Sequence, residues 1–285
     1  MALNQKIFLM TVDVDDWASL LRFYSVKCDM SEAENLVETE KGLDILVNLF
    51  KKHNIKATFF VPAKVVEKYS KKIKSLISEG HEIACHGYFH HKDECLLDKI
   101  NQKILIRKAL NIFDSIIECR PLGFRAPCLR ANKRTLEVLN EMEFIYDSSF
   151  LPMFIPKLYG SFSKFKLKPY YPLFEGNLLE IPVSANPALL LPLSAAWMRN
   201  LGLSWIKSGV KTLFNMGCPV MFYIHPRDIM TLPKMPKVPM YVYRNTGKKA
   251  LLILDGLLNY VKQLNAKIMR TIDFAFTLKS FREYT

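Results

Sequence analysis

The chain has 285 residues and half of them are hydrophobic, so its composition predicts one globular α/β domain over residues 1–285. No apolar run reaches the roughly 18 residues of a membrane-spanning helix, which excludes an integral membrane protein. The N-terminus carries one lysine and a short apolar run that predicts a strand rather than a signal peptide, and the six cysteines lack Cys-x-x-Cys spacing. We therefore expect a cytoplasmic protein with reduced thiols.

The formal net charge of +13 indicates either an anionic partner or a solvated basic surface. Lysines and arginines cluster at 157–168 and 234–249, with aromatic side chains between them. This pattern suits an anionic membrane or an anionic lipid-linked substrate better than nucleic acid. Peripheral association with the inner membrane face and a basic surface that only aids solubility both stay open.

Strand and helix patterns alternate along most of the chain, which predicts a parallel sheet closed into a barrel. The predicted strands are 6–12, 57–61, 82–86, 123–127, 178–184, 220–225 and 267–274. The predicted helices are 36–53, 64–79, 97–118, 132–142, 200–216 and 247–264. The alternation blurs in an irregular, apolar region at 151–219. Within it, segment 187–217 with Trp197 and Trp205 predicts either an interfacial helix pair or outer packing of the barrel.

Two clusters of potential metal ligands follow predicted strands. His86 and His90 are four residues apart in HGYFHH, so in a helical or turn-like segment both imidazoles can reach one ion. Asp13, Asp15 and Asp16 lie in TVDVDDW at the end of the first strand. Two histidines and one carboxylate, with open positions for water, are the ligand set of a hydrolytic metal site.

Further polar residues lie at the ends of later predicted strands. Arg125 lies at the end of the GFRAP strand, Asp147 lies in YDSS, and His225 is the last residue of VMFYIH. Barrel enzymes place their active sites at the carboxyl ends of the strands, so we expect these side chains to share one face with the two clusters.

The ordered motifs TVDVDDW, HGYFH, GFRAP, YDSS and YIHP resemble those of the polysaccharide deacetylases, the NodB-like carbohydrate esterases, from about residue 6 to 228. The resemblance implies a distorted (β/α)7-type barrel and removal of an N-acyl group from an amino sugar. It also implies that the first motif supplies a base and a metal ligand, GFRAP an arginine that orients the base, and YIHP a general acid. Here a valine separates the first two aspartates, as in the Asp-x-Asp variants.

The chemistry of amide hydrolysis assigns roles to these residues. Asp13 is the predicted base, Arg125 keeps it ionised, and His225 protonates the departing amine. One divalent ion, for which Zn²⁺ is favoured, lowers the pKa of water and polarises the carbonyl. If the first strand stays extended, Asp13 and Asp15 point to the same side, so Asp15 is the favoured metal ligand with His86 and His90.

Five further motif residues are assigned to the site wall or to substrate binding: Asp16, Trp17, Tyr88, Pro127 and Asp147. Asp16 is also an alternative metal ligand, although a helix N-cap is its favoured role. Asp147 is equally compatible with a turn. The favoured function is a metal-dependent deacetylase of an amino-sugar glycan. The alternatives are a deformylase or deacylase of a lipid-linked amino sugar at the membrane surface, a cyclic-amide amidohydrolase, and a non-enzymatic barrel.

Overall fold

A computed structural model describes residues 5–27, 29, 37–152 and 166–283 of the chain. Ten strands are assigned in these ranges: β1 Ile7–Asp13, β2 Thr58–Val61, β3 Glu82–Cys85, β4 Gly123–Phe124, β5 Tyr146–Asp147, β6 Leu179–Glu180, β7 Ala185–Asn186, β8 Leu191–Pro192, β9 Val220–Ile224 and β10 Lys267–Met269. The α-helices of the same ranges are α1 Trp17–Phe23, α2 Thr39–Lys52, α3 Ala63–Lys68, α4 Ser70–Ser78, α5 Lys99–Ile112, α6 Lys133–Glu141, α7 Ala195–Leu201, α8 Leu203–Asn215, α9 Met240–Tyr243, α10 Lys248–Gln263 and α11 Thr271–Glu283. Short helical turns add Glu94–Leu96, Phe113–Ile117, Pro127–Leu129 and Pro226–Ile229.

Eight of the strands form one curled parallel sheet, which confirms the predicted α/β barrel in a distorted form. From β1 the sheet continues through β2, β3, β4 and β5 to β6, while β9 and β10 also pair with β1. The segment after β6 connects this end of the sheet to β9, because its Ser184 amide donates to the Met221 carbonyl of β9 at 3.1 Å. β7 and β8 form a separate antiparallel pair.

The alternation of side chains along β1 decides what enters the barrel. Phe8, Met10 and Val12 belong to the core between the sheet and the outer helices, and Leu9 belongs to the smaller apolar cluster inside the barrel. Because successive side chains of a strand point to opposite faces, Asp13 shares the inner face with Leu9. The strand therefore places a carboxylate inside the barrel at its carboxyl end.

Several predicted element boundaries are wrong. The strand expected over 267–274 ends at Met269, and Thr271 begins α11, because the Thr271 and Ile272 amides donate to Thr58 Oγ1 and to the Glu82 carboxylate. The helix expected over 64–79 is divided at Tyr69, whose φ of −122° is not helical. A further helix, α7, precedes the one expected over 200–216, from which Gly202 separates it at a φ of +88°.

The apolar segment 187–217 packs against the barrel. Met198 of α7 and Ile206, Val210 and Leu213 of α8 are buried in the same core as α10. These contacts favour the outer-packing alternative, although Leu189, Leu201 and Met216 of the segment are exposed. Within the described ranges, no helix is both long and apolar enough to cross a membrane. Of the basic cluster at 157–168, residues 157–165 lie outside the described residues.

Candidate active site

Asp13 and Arg125 form a buried ion pair inside the barrel. Arg125 Nη1 lies 2.6 Å from Asp13 Oδ1, the guanidinium is completely buried, and the Asp13 side chain is only 5% exposed. Arg125 follows β4 directly, and β2 and β3 lie between β4 and β1 in the sheet. A charge at this depth is costly unless it is paired, and each of these side chains is the other's partner.

The Arg125 guanidinium is fixed by contacts besides that with Asp13. Nη1 also donates to Thr11 Oγ1 at 3.0 Å, and Nε and Nη2 donate to the carbonyl and hydroxyl of Ser148 at 3.1 and 3.0 Å. The Phe60 ring covers one face at 4.0 Å from its centroid. The arginine can therefore orient Asp13 without moving itself.

The loop after β3 brings His86 and His90 together without a helix. Their ring centroids are 4.8 Å apart. Gly87 has a φ of +78°, and a Cβ on it would lie 2.8 Å from both Glu94 Oε2 and Pro127, so only glycine fits there. The Glu94 carboxylate accepts from the backbone amides of Tyr88 and Phe89 at 2.7 and 2.9 Å, which fixes the loop between the two histidines.

Burial controls the protonation of both imidazoles. It lowers the pKa of His86, and it lowers that of His90 to about 3 despite the opposing charge of Asp15. His86 Nδ1 lies 2.7 Å from the Arg125 carbonyl, to which it donates in the neutral ring, so Nε2 is left as the available lone pair. Neutral imidazole is the form that binds metal ions.

Asp15 lies between the two histidines and His225. Its carboxylate is 3.9 Å from His90 Nε2 and 3.5 Å from His225 Nε2, and Arg227 Nη1 donates to Oδ2. Burial alone would raise the pKa of Asp15, but the Arg227 guanidinium, together with the neighbouring imidazoles, outweighs this effect and holds that pKa well below its ordinary value. Asp15 is therefore an anion.

His225 is held by a buried chain of charges. Its Nδ1 lies 3.1 Å from Asp228 Oδ2, and Arg199 Nη2 of α7 lies 2.9 Å from Asp228 Oδ1. Burial opposes ionisation of Asp228, but the Arg199 charge and the hydrogen bond with His225 keep its pKa well below the ordinary value. Arg199 is anchored in turn by the Arg244 carbonyl at 2.6 Å. The ring of His225 thus presents Nε2 towards Asp15.

These groups line one cleft of about 150 Å³. Asp13, Asp15, His86, His90 and His225 all reach it, together with Arg227 and Asp228. Carboxylates, imidazoles and cations at one open end of a barrel form a site able to bind an ion, abstract a proton and return one.

Four of the residues assigned to the site wall or to substrate binding do not line this cleft. Asp16 caps α1 by accepting from the Ser19 amide at 2.7 Å, which is its favoured role, and Trp17 is fully buried in an apolar cluster with Leu21. Tyr88 and Pro127 lie in the neighbouring loops and do not line the cleft. These four positions support the cleft because helix capping and core packing use their side chains.

Asp147 supports the site from behind rather than lining it. It is fully buried, and its Oδ1 accepts from Ser149 Oγ at 2.6 Å. Burial raises the pKa of Asp147, and burial together with the negative charge of Asp147 raises that of Glu180 further, so Glu180 carries the proton of the pair. The neighbouring Ser148 holds Arg125, so the YDSS segment acts on the site through the arginine.

The donor set suits a divalent ion, although it is not arranged as a closed cage. Asp15 Oδ1 and His90 Nδ1 are buried polar atoms without a hydrogen-bond partner. Two imidazoles and one carboxylate match the preferences of Zn²⁺. In the part of the chain that the structure describes, no three His, Cys, Asp or Glu side chains already converge on one point. Arg227 donates to Asp15 Oδ2, so Oδ1 is the carboxylate oxygen left available to an ion.

Motif reasoning missed four residues of the site: Glu94, Arg199, Arg227 and Asp228. A signal existed for two of them, because Arg227 and Asp228 directly follow the YIHP motif at a strand end. No sequence signal pointed to Arg199, because its partner Asp228 is 29 residues away along the chain and meets it only through the packing of α7.

The comparisons with known proteins agree with this geometry. Residues 39–146 match the family model described as polysaccharide deacetylase, and residues 148–266 match a domain of unknown function, DUF3473. A peptidoglycan deacetylase of Helicobacter pylori is 29% identical over 187 residues, which are 61% of this chain and 63% of the relative. The chain thus spans less than two thirds of the length of that relative.

Solved structures share the fold. A Mycobacterium smegmatis protein described as a polysaccharide deacetylase superposes with a TM-score of 0.71 at 19% identity, covering 98% of this chain and 91% of the other. Puue allantoinase superposes with a TM-score of 0.70 at 18% identity, covering 98% and 92%. At such identities the likeness concerns the barrel alone, and reaction and substrate have to be argued from the site.

Proposed function

Because the chain belongs to the polysaccharide deacetylase family, we propose that it is a metal-dependent hydrolase that removes the N-acetyl group from an amino sugar of a glycan. The observation that carries this proposal is the cleft itself. It joins a carboxylate held by a buried arginine, a carboxylate between two neutral histidines, and a third histidine held by its own carboxylate.

Asp13 is the proposed general base. Its ion pair with Arg125 balances its buried charge and fixes the direction of the carboxylate. A base must lie within hydrogen-bond reach of the proton that it removes, and Asp13 lines the same cleft as Asp15. It would take the proton of the attacking water, while Arg125 stays charged throughout.

Asp15, His86 and His90 would hold the divalent ion, with Zn²⁺ as the favoured species. When bound, this ion supplies Lewis-acid polarisation of the carbonyl and lowers the pKa of water. The chain contributes the neutral state of both imidazoles and the anionic state of Asp15. Arg227 donates to the same carboxylate, so it would lower the affinity of Asp15 for the ion.

His225 is the proposed general acid. Asp228 accepts from Nδ1, which leaves Nε2 to carry the proton towards the departing amine. The Arg199 charge keeps Asp228 ionised, so that the carboxylate stabilises a protonated ring rather than taking its proton. Arg199 and Asp228 are therefore positioning residues for the acid.

The proposal is tested by measuring release of acetate and formate from N-acetylated and N-formylated amino-sugar oligomers, with peptidoglycan fragments, lipid-linked amino sugars and allantoin in parallel. Metal content of the purified protein is measured in the same preparations. We expect acetate from the glycans and a stoichiometric divalent ion. Hydrolysis of allantoin alone, formate from the lipid-linked sugar alone, or no turnover of any of these with metal supplied, would each contradict the deacetylase proposal.

Replacing His225 with alanine is expected to lower kcat by roughly 10²–10⁴-fold, the usual contribution of a positioned general acid. The metal content should not change, because His225 is outside the proposed ligand set. The rate is measured by acetate release and the metal by elemental analysis. Near-normal turnover of this variant would remove His225 from the mechanism.

Asp228→Asn is expected to lower kcat about 10- to 100-fold, as changes to a residue that orients a catalytic group commonly do. The asparagine keeps an acceptor for Arg199 but offers His225 an amide donor in place of a carboxylate. A purely structural role would move the melting temperature and KM along with kcat. Because the buried Arg199 loses its charged partner, the melting temperature is expected to fall, and Asp228 acts on the acid if kcat falls while KM stays near its wild-type value.

A further inference from the structure

A second groove lies beside the cleft, on the other side of His90. It encloses about 540 Å³ and shares Ser19 and His90 with the cleft. Its walls come from the segments that follow β1, β2 and β3, so it opens at the same end of the barrel. A polymer with one unit at Asp15 would extend into this groove with its next unit.

The groove has an exposed aromatic ring on a fixed backbone. Phe89 is 52% exposed, although large apolar side chains are usually covered. Its amide donates to Glu94, and α3 is tied to the same loop because the Lys64 amide donates to the Tyr88 carbonyl at 3.1 Å. A rigid aromatic face beside polar groups suits the apolar face of a sugar ring.

The groove is also positively charged. Arg22, Lys64 and Lys68 line it, and Asp16 is the carboxylate on its wall. Asp16 is only 12% exposed, accepts from the Ser19 amide and lies 3.7 Å from Arg22 Nη2, so these two charges offset each other and the positive charge comes from Lys64 and Lys68. The Lys64 ammonium lies 5.3 Å from the Tyr88 ring centroid and 5.9 Å from that of Phe89, so one cation stands directly above the aromatic face.

Lys64 has a carboxylate neighbour outside the groove. Glu67 Oε2 lies 2.7 Å from its ammonium, but the two side chains are 42% and 36% exposed. An exposed pair of this kind contributes only about 0.2–1 kcal/mol, so an incoming anion can share the ammonium. Lys68 follows Lys64 by one helical turn and extends the same positive edge.

We propose that this groove binds the sugar next to the one that is deacetylated, and that this neighbouring sugar carries an acidic group. The ring would lie on Phe89, and its carboxylate or phosphate would face Lys64 and Lys68. The inference rests on the proposed deacetylase function and adds to it a substrate class, a glycan with acidic units. It also gives part of the excess positive charge of the chain a role in substrate choice.

The test compares four-unit N-acetylglucosamine oligomers that differ only at C6: the neutral sugar, a form with one 6-carboxylate, and a form with one 6-phosphate. Affinities are measured by calorimetry with the full chain at low salt, on the His225→Ala background, in which turnover is expected to be roughly 10²–10⁴-fold slower. We expect the acidic oligomers to bind about 3- to 10-fold more tightly than the neutral one, since two exposed ion contacts contribute little more. This preference should decline as salt is added. If the wild type binds only one of the two acidic oligomers more tightly than the neutral one, that oligomer identifies the anion that the groove binds.

The double variant Lys64→Gln/Lys68→Gln should remove the acidic preference and leave the neutral oligomer within about twofold. The matched control Lys71→Gln/Lys108→Gln removes the same charge from exposed positions away from the groove and should change neither affinity. Phe89→Ala should weaken all the oligomers together. Equal effects of the two double variants, or equal binding of neutral and acidic oligomers by the wild type, would overturn the proposal. Failure of the deacetylase function is seen separately, in acetate release from the neutral oligomer by the chain with His225 intact.

Discussion

Replacing Asp13 with asparagine is expected to abolish turnover while leaving the divalent ion bound. The amide has the size of the carboxylate but cannot accept the proton of water, so at least the roughly 10²–10⁴-fold contribution of a general base is lost. Asp15, His86 and His90 are untouched, and His86 and His90 keep their contacts with the Arg125 carbonyl and the Asp15 carboxylate. Acetate release gives the rate, and elemental analysis gives the metal content.

The buried partner of Asp13 complicates this variant, and a control separates the two effects. Leaving Arg125 without its carboxylate removes a buried ion pair, whose disruption costs about 3–5 kcal/mol when no acceptor is left. Thr11→Val removes a different acceptor of Arg125 Nη1 and retains the base. We expect Thr11→Val to keep activity within about tenfold, since one hydrogen bond contributes about 1 kcal/mol. If Asp13→Asn loses the metal, the roles of Asp13 and Asp15 have been assigned in the wrong order.

Much of the site could be predicted because its main residues obey local rules. The two-residue period of β1 decides that Asp13 faces inwards, and the parallel sheet brings the ends of β3, β4 and β9 to the same edge. Residues directly after those ends, such as His86, Arg125 and His225, therefore had to lie near one another. Motif order along the chain was enough to identify them.

The rest of the site depends on contacts that local patterns do not contain. Asp147 also ends a strand, but it turns towards Ser149 and Glu180, whose burial beside it comes from the short strand β6. Arg199 reaches Asp228 only because α7 packs beside β9, in a region where the strand and helix alternation is interrupted. The loop after β3 takes its form from Glu94, which lies beyond the recognisable histidine motif. Long-range packing decides each of these positions.

Replacing His86 or His90 with alanine is expected to remove stoichiometric metal from the protein. Each variant deletes one of three proposed ligands, so we expect a loss of affinity greater than the roughly 10–100-fold typical of residues that only orient a ligand. His86 is oriented by the Arg125 carbonyl, whereas His90 Nδ1 has no partner. The His86 variant should therefore lose the larger share, because a ligand held in place contributes more to binding.

Equilibrium dialysis against Zn²⁺ measures the affinity, and thermal unfolding provides a readout independent of activity. An ion present at 100 times its Kd stabilises the native state by about 2.7 kcal/mol, so added Zn²⁺ should raise the melting temperature of the wild type and not that of either variant. His91→Ala is the matched control, since it removes an adjacent imidazole that does not line the cleft. This control should keep both the metal and the thermal shift. Full metal occupancy in both variants would show that the ion binds elsewhere and that His86 and His90 are not its ligands.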